Sequence, residues 1–143
     1  MNRWFIPAFS LLALSACAAM PKDPVDLGGP PVPDGAKWEK IAGGFHFTEG
    51  PAADAEGNVY FSDQGTTVEQ VPRIYFWDAA TNKVSVFMDG DTGRSNGMCF
   101  DYTGHLITCA DEKDEMWSID TRTRQHTVLF DSYEGKRLNA RSA

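Results

Sequence analysis

The chain has 143 residues, of which 42% are hydrophobic and 12% aromatic, and its formal net charge at pH 7 is −7. This length is sufficient for one domain of ordinary size. An excess of carboxylates repels phosphate groups, so nucleic acid and anionic lipid surfaces are not expected as partners.

The first residues have the pattern of an exported protein. Arg3 is followed by an apolar run that ends in Leu14-Ser15-Ala16-Cys17. The run is too short to span a bilayer and is typical of a secretory signal. Its end resembles the lipobox of bacterial lipoproteins, which implies a signal peptide over residues 1–16 and a lipid anchor on Cys17. An ordinary signal peptide that happens to contain a cysteine is the alternative.

The lipoprotein pattern also predicts a location. Ala18 and Ala19 follow Cys17, and neither is the aspartate that favours retention in the inner membrane. We therefore expect the periplasmic face of a bacterial membrane, with the outer membrane favoured. Residues 17–37 are expected to form a tether, since five of the eight prolines lie between Met20 and Pro33. Prolines and glycines at this density favour an extended connection. The protein would then contact the membrane only through its lipid anchor.

From Trp38 onward the sequence predicts short strands separated by turn signals. The first four are predicted at Ile41–Thr48, Asn58–Ser62, Arg73–Asp78 and Lys83–Met88. The pattern then returns. The turn Asp54-Ala55-Glu56-Gly57 is matched 47 residues later by Asp101-Tyr102-Thr103-Gly104. The strand Val86-Phe87-Met88 is matched 42 residues later by Val128-Leu129-Phe130.

A repeat of four short antiparallel strands over about 40–50 residues is typical of the blades of a β-propeller. The predicted fold is therefore all-β, a β-propeller within residues 38–143. Two blades are expected, at about residues 38–90 and 91–131, followed by the start of a third. A sandwich or a simple meander does not account for the repeat. Because propellers close with about four to eight blades, we expect the sequence to be a truncated piece of a larger protein.

Two polar residues occupy equivalent positions on the innermost predicted strands. Glu49 precedes Gly50, and Asn96 precedes Gly97. The innermost strands of a propeller line its central channel, where an ionised carboxylate is costly unless it is paired or binds a metal. A carboxylate together with amide oxygens suits a hard cation such as Ca²⁺ or Mg²⁺. The alternative is a structural ion pair of Glu49 with Arg94 or with a backbone amine.

The same residues match a known family. The stretch Phe47-Thr48-Glu49-Gly50-Pro51 and the following Gly57–Asp63 resemble the first blade of the gluconolactonase/regucalcin (SGL) family. Arg94–Met98 and Gly135–Asn139 resemble later parts of it, so the resemblance covers about residues 38–139. It implies a six-bladed propeller that binds a divalent cation in its channel and hydrolyses sugar lactones or related esters.

The resemblance also implies roles for individual residues. Glu49 would be a metal ligand, and Arg94 and Asn96 would bind substrate beside the metal. The implied cation is Ca²⁺, with Mg²⁺, Zn²⁺ and Mn²⁺ as alternatives, and the implied partner is a small-molecule lactone or ester. The cation would polarise the lactone carbonyl and lower the pKa of the attacking water.

The sequence departs from the family pattern after Asn139. In the family a Pro-Asn-Asp element follows, whose asparagine is the next metal ligand, and a later aspartate serves as ligand and general base. Here Ala140-Arg141-Ser142-Ala143 follows. We therefore assign no catalytic residue, expect the general base beyond Ala143, and expect this fragment of a sugar-lactone hydrolase to be inactive. A non-catalytic binding propeller with a purely structural channel is the alternative.

Cys99 and Cys109 lie on the two strands of one predicted hairpin. The predicted register places Cys99 beside Thr108 and turns the two thiols to opposite faces. We therefore predict two free thiols rather than a disulfide. Neither cysteine has the spacing of a metal or redox site.

Overall fold

A computed structural model of the chain describes residue 32 and residues 34–139. The predicted signal peptide and the predicted lipid anchor on Cys17 lie outside these residues. The chain divides into two units, Met1–Trp38 and Glu39–Ala143. The described residues of the first unit are exposed. Within the described part of the chain no helix has the length and apolarity needed to cross a membrane.

Two four-stranded antiparallel sheets make up the second unit, and each is a meander with its strands in sequence order. The first sheet, here called the first blade, contains β1 (Thr48–Ala53), β2 (Val59–Asp63), β3 (Arg73–Asp78) and β4 (Lys83–Asp89). The second blade contains β5 (Ser95–Phe100), β6 (Leu106–Ala110), β7 (Glu115–Ile119) and β8 (His126–Phe130). A short hairpin of β9 (Ser132–Tyr133) and β10 (Lys136–Arg137) follows. The predicted all-β fold is confirmed.

The Asp-x-x-Gly turns close the first hairpin of each blade in the same way. Asp54 Oδ1 accepts hydrogen bonds from the backbone amides two and four positions later, at 3.1 and 2.8 Å. Asp101 Oδ1 does the same at 2.8 and 2.9 Å. Gly57 and Gly104 end the two turns with φ of 84° and 86°, a conformation that glycine adopts without strain. The repeated motif therefore specifies a repeated turn.

The two blades also share their irregularities. In the innermost hairpins the register shifts between Glu49 and Ala52 in the first blade, and between Ser95 and Met98 in the second. In the outer hairpins it shifts at Ile74/Tyr75 and again, 42 residues later, at Met116/Trp117. Each bulge inserts a residue at a defined place and increases the local twist. Their recurrence shows that the blades are repeats in structure as well as in sequence.

The first strand begins later than predicted. We expected a strand over Ile41–Thr48, whereas β1 is Thr48–Ala53. The carboxylate of Asp63 accepts hydrogen bonds from the amides of His46, at 3.1 and 3.2 Å, and of Phe47, at 2.8 Å. These donors are therefore occupied by a side chain, and the backbone ladder begins only at Thr48.

The hydrophobic core lies between the two blades. Its buried members are Ala52, Tyr60, Ile74 and Phe87 from the first blade and Leu106 and Ile119 from the second. The ring of Tyr60 meets Phe100 of the second blade edge to face, with 5.3 Å between the ring centroids. Aromatic pairs in this geometry stabilise a core by more than their buried area alone.

The cysteine register was predicted one residue out of place. Cys99 pairs with Ile107 rather than with Thr108. Because side chains alternate along a strand, Cys99 and Cys109 lie on the same face of the second blade, not on opposite faces. Both are free thiols, as predicted. Burial, and then the neighbouring Cys99, raise the pKa of the Cys109 thiol.

Candidate functional site

The innermost strands of the two blades, β1 and β5, lie side by side and bring two predicted site residues to one place. A Cβ atom built on Gly50 would lie only 2.1 Å from the backbone carbonyl oxygen of Asn96. Gly50 also has φ of 56°, which disfavours other residues. Both the clash and the backbone conformation therefore disfavour a side chain at position 50. The glycine lets the Glu49 and Asn96 strands approach closely.

Asn96 is buried, with 3% of its surface exposed. Its Oδ1 accepts a hydrogen bond from the amide of Gly97 at 2.7 Å. This bond fixes the orientation of the side chain in the protein itself. An amide oxygen can accept a second bond, and Nδ2 carries two donors. Asn96 thus retains the capacity to contact a cation or a polar ligand from a fixed position.

Glu49 is half-buried and pairs with Ser62 of β2, whose hydroxyl donates to the Glu49 carbonyl at 3.1 Å. It contributes to a cavity of about 270 Å³ whose other lining residues are Thr48, Pro51, Val59 and Phe61. Its backbone is therefore anchored to the sheet, at the point where the register shifts. Bulges often aim a side chain at a site, and this one coincides with the predicted ligand.

Arg94 adopts a left-handed backbone conformation, with φ of 50°. For a residue with a long side chain this costs about 1–3 kcal/mol and persists only where its surroundings hold it. Gln64 supplies that support from the first blade. It is 7% exposed, and its Nε2 donates to the carbonyl oxygens of Arg94 at 2.9 Å and Ser95 at 2.6 Å. The position of Arg94 therefore depends on a bridge between the blades.

Gln64 was not identified from the sequence. It follows Asp63 at the end of the family-like stretch, and no pattern of residue types marks a glutamine there as functional. The only signal was its place directly after an inner hairpin. Its contact with Arg94 joins residues 30 positions apart, which only the packing of the two blades brings together.

Asp63, which pairs with Thr48 next to Glu49, is a buried carboxylate with 4% of its surface exposed. Burial by itself raises the pKa of Asp63, but the amides of Phe47, His46 and Gly65 hydrogen-bond to it and hold the pKa below its ordinary value. His46 Nδ1 also lies 3.5 Å from Asp63 Oδ2. Because these donors surround both oxygens, Asp63 has a structural role in the site.

The oxygen donors are of the type that a hard cation prefers, but they are fewer than such a cation needs. The Glu49 carboxylate and the Asn96 amide oxygen are the ligand types that Ca²⁺ and Mg²⁺ prefer. Ca²⁺ takes about six to eight oxygens. Across residues 32 and 34–139 no group of three or more His, Cys, Asp or Glu side chains could hold a metal. The described residues therefore supply fewer oxygens than Ca²⁺ takes.

No protein-family model and no curated protein sequence matches the chain. Solved structures do, and two of them are gluconolactonases. One is the X-ray structure of a candidate gluconolactonase, with 31% identity and a TM-score of 0.63, over 76% of this chain and 35% of the other. The second is a gluconolactonase from Xanthomonas campestris, described as important in secondary metabolic pathways of glucose. Here the identity is 29% and the TM-score 0.56, over 66% of this chain and 30% of the other.

These matches confirm the resemblance to gluconolactonases and the predicted propeller fold. The chain spans about a third of the length of the gluconolactonase structures that it matches.

Proposed function

We propose that the chain is part of a metal-dependent sugar-lactone hydrolase, in which Glu49 is a ligand of a divalent cation, with Ca²⁺ as the first candidate. Arg94 and Asn96 bind the substrate, a small polyhydroxylated lactone or a related ester. One observation carries this proposal. The Glu49-Gly50 and Asn96-Gly97 pairs meet on adjacent innermost strands, in a fold similar to two gluconolactonases.

Each residue has a chemical task in this proposal. A bound divalent cation polarises the lactone carbonyl and lowers the pKa of water. The guanidinium of Arg94 offers a fixed set of donors to the hydroxyl and carbonyl oxygens of a sugar lactone. Asn96 is held by its bond to Gly97, so it donates from Nδ2 to the substrate without first having to be ordered.

The general base is placed outside the described residues. Asp63 is the buried carboxylate closest in the sheet register to Glu49, but amide donors occupy its oxygens and lower its pKa. A carboxylate in that state is a poor proton acceptor. We therefore propose that residues 1–143 alone do not turn over lactones.

The cellular location is also a proposal. The sequence Leu14-Ser15-Ala16-Cys17 supports a lipid anchor on Cys17, at the periplasmic face of a bacterial membrane and most simply the outer membrane. A small lactone or ester is then the partner, and nucleic acid is not. Mass spectrometry of the mature protein tests this, because a diacylglyceryl-modified Cys17 at the N-terminus is the expected species. An unmodified N-terminus elsewhere contradicts it.

The activity is tested in a completed propeller. Residues 39–139 replace the matched part of the Xanthomonas campestris gluconolactonase, and hydrolysis of gluconolactone is followed with and without Ca²⁺. We expect Ca²⁺-dependent turnover that falls at least about 100-fold in Glu49→Gln, because a ligand to the catalytic metal is lost. The control is Glu56→Gln, which removes the same charge at an exposed turn and should keep the activity.

Two further results complete this test. The unaltered 143-residue chain should show no turnover in the same assay. A chimera with a cooperative thermal transition but no lactonase activity would contradict the proposed function and favour a non-catalytic binding propeller.

A further inference from the structure

The two blades enclose a small cavity between them, here called the inter-blade cavity. It has a volume of about 200 Å³ and lies between strands β2, β3 and β4 of the first blade and the β7–β8 turn of the second. Glu49 is near the start of β1, whereas Asp54, in the turn at the other end of β1, lines the cavity adjoining this one. Both walls of the inter-blade cavity are therefore supplied by this chain, at the end of β1 opposite to Glu49.

The wall from the first blade is largely apolar. Phe76, Val86 and Phe87 line it, together with Tyr60. Tyr60 is 7% exposed, and its ring lies 4.9 Å from each of the rings of Phe76 and Phe87. Within residues 34–139 the Tyr60 hydroxyl forms no hydrogen bond. A side chain that is nine-tenths buried thus brings a polar group without a partner to an apolar wall.

The opposite wall carries two guanidinium groups, those of Arg122 and Arg124. Asp120 fixes their turn, because its Oδ1 accepts the amide of Arg122 at 2.8 Å and its carbonyl accepts the amide of Arg124 at 2.7 Å. The Cζ atom of Arg124 lies 5.5 Å from the centroid of the Phe87 ring, in a cation–π contact across the two blades. Arg122 forms only an exposed pair with Asp120, at 3.7 Å. Such a pair is weak, so its guanidinium donors are open to a ligand.

The charges of the inter-blade cavity suit an anion. Among the described residues that line it none is acidic, although the chain has a net charge of −7. Burial, and then the carboxylates of Asp54 and Glu56, raise the pKa of Tyr60, whereas the guanidinium of Arg124 lowers it to a smaller extent. The Tyr60 hydroxyl therefore keeps its proton at neutral pH and can donate a hydrogen bond.

We propose that the inter-blade cavity binds a small carboxylate with an apolar body. Arg122 and Arg124 hold the carboxylate, because guanidinium groups bind it through paired, charge-assisted hydrogen bonds. The rings of Phe76 and Phe87 contact the apolar body. Pockets for drug-sized ligands have about 300–1,000 Å³, so this smaller cavity suits a carboxylate with a single ring. The proposal does not rest on the lactonase activity, because none of these residues belongs to that site.

Binding of benzoate to the full 143-residue chain tests the proposal. Titration calorimetry should show one site with a Kd of about 1 mM or below. Benzyl alcohol has the ring without the charge, and acetate has the charge without the ring. Each should bind at least about tenfold more weakly than benzoate, because each uses only one wall. A chain that does not bind benzoate, or that binds benzoate and either of the other two equally, would overturn the proposal.

Two variants locate the site. Arg122→Gln and Arg124→Gln each remove one guanidinium from an exposed turn, so the affinity for benzoate should fall at least about fivefold in each. The thermal transition of each variant shows that the fold is kept. The matched control is Arg137→Gln, which makes the same change in β10, where Arg137 pairs with Asp114, and should keep the affinity. Unchanged affinity in the two cavity variants, or an equal loss in the control, would overturn the proposal.

Chemical protection is a second measurement, on the unaltered chain. Phenylglyoxal modifies accessible arginines, and the rate for each arginine is read from its own peptide by mass spectrometry. With benzoate near saturation we expect Arg124 to react at least about threefold more slowly and Arg137 to keep its rate, because only Arg124 is covered by the ligand. An unchanged rate at Arg124, or equal slowing of both arginines, would place benzoate elsewhere and overturn the proposal.

Discussion

Asp63 determines how the chain enters the first blade. Its carboxylate lies in a place where 96% of its surface is removed from solvent, and it accepts the amides of His46, Phe47 and Gly65. It therefore accepts the hydrogen bonds of these amides, as the carbonyl groups of a neighbouring strand do elsewhere in the blade. Without it, three backbone donors at the start of the site would lose their partner.

Replacing Asp63 with asparagine should destabilise the fold. An amide has one acceptor oxygen and brings two donors that face other donors, so we expect the free energy of unfolding at pH 7 to fall by about 1–3 kcal/mol. Urea denaturation of the full chain measures this loss. Asp91→Asn, an exposed site with the same charge change, is the control and should lie within about 0.5 kcal/mol of the unaltered chain.

The loss of stability in Asp63→Asn should depend on pH. The pKa of Asp63 is lower in the folded chain than its ordinary value, so its stabilisation is present above that ordinary value. It is lost as the pH falls through the folded pKa, below about 4. The stability difference between the unaltered chain and Asp63→Asn should therefore shrink toward acid pH. A difference that is constant from pH 7 to pH 3 would show that the carboxylate charge is not involved.

At the level of single residues, the sequence predicted part of the site. Glu49 and Asn96 were identified because each precedes a glycine at the same place in the repeat, and the structure places these pairs on adjacent strands. Gln64 and the role of Asp63 were not identified. Their partners are backbone atoms of other segments, and such contacts leave no pattern of residue types in the sequence.

Three glycines in the inner hairpins distinguish two causes of strain, a positive φ and a clash of the added Cβ atom. Gly50 combines a positive φ with a Cβ that would meet the Asn96 carbonyl, Gly57 has a positive φ in open space, and Gly97 has neither. Alanine at Gly97 should change the free energy of unfolding by less than about 0.5 kcal/mol. Alanine at Gly57 should cost about 1–2 kcal/mol, because the left-handed conformation crowds Cβ.

Alanine at Gly50 should cost more than either of the others, above about 2 kcal/mol, because the β1 and β5 strands must also separate. Thermal and urea unfolding of the three variants gives the order. If Gly50→Ala proved no worse than Gly57→Ala, the close approach of the two inner strands would be refuted.

The elements themselves were predicted well where turn chemistry specifies them. The Asp-x-x-Gly repeats located the inner hairpins of both blades, and the predicted third strand coincides with β3. The cysteine register was wrong by one residue because the turn that joins β5 to β6 sets it: Phe100 pairs with Leu106, and Cys99 therefore pairs with Ile107. A difference of one residue at the turn moves the paired side chain to the other face, and alternation of residue types alone does not reveal it.

The whole molecule is defined by how much of a propeller it contains. Two blades with a shared core account for most of the described residues 39–130, and the chain matches about a third of each of two gluconolactonase structures. The repeat predicted the propeller because an offset of 47 and 42 residues recurs in turns and strands alike. The buried sheet faces were not predicted residue by residue, since which face is covered depends on the neighbour that a blade has.

The number of cation ligands is also a property of the whole propeller. A site for Ca²⁺ needs about six to eight oxygens, and in our proposal inner strands from several blades contribute them. Glu49 is the ligand that we propose for this chain, with Asn96 beside it as a substrate contact. Their role is therefore best measured where the remaining strands are supplied.

The most direct test is the Ca²⁺ affinity of the chimera that carries residues 39–139 in the Xanthomonas campestris gluconolactonase, measured by calorimetry. If Glu49 is a metal ligand, the chimera binds one Ca²⁺, and Glu49→Gln weakens that binding at least about tenfold, whereas Glu56→Gln leaves it unchanged. Equal Ca²⁺ affinity in the chimera and in its Glu49→Gln variant would contradict the assignment of Glu49.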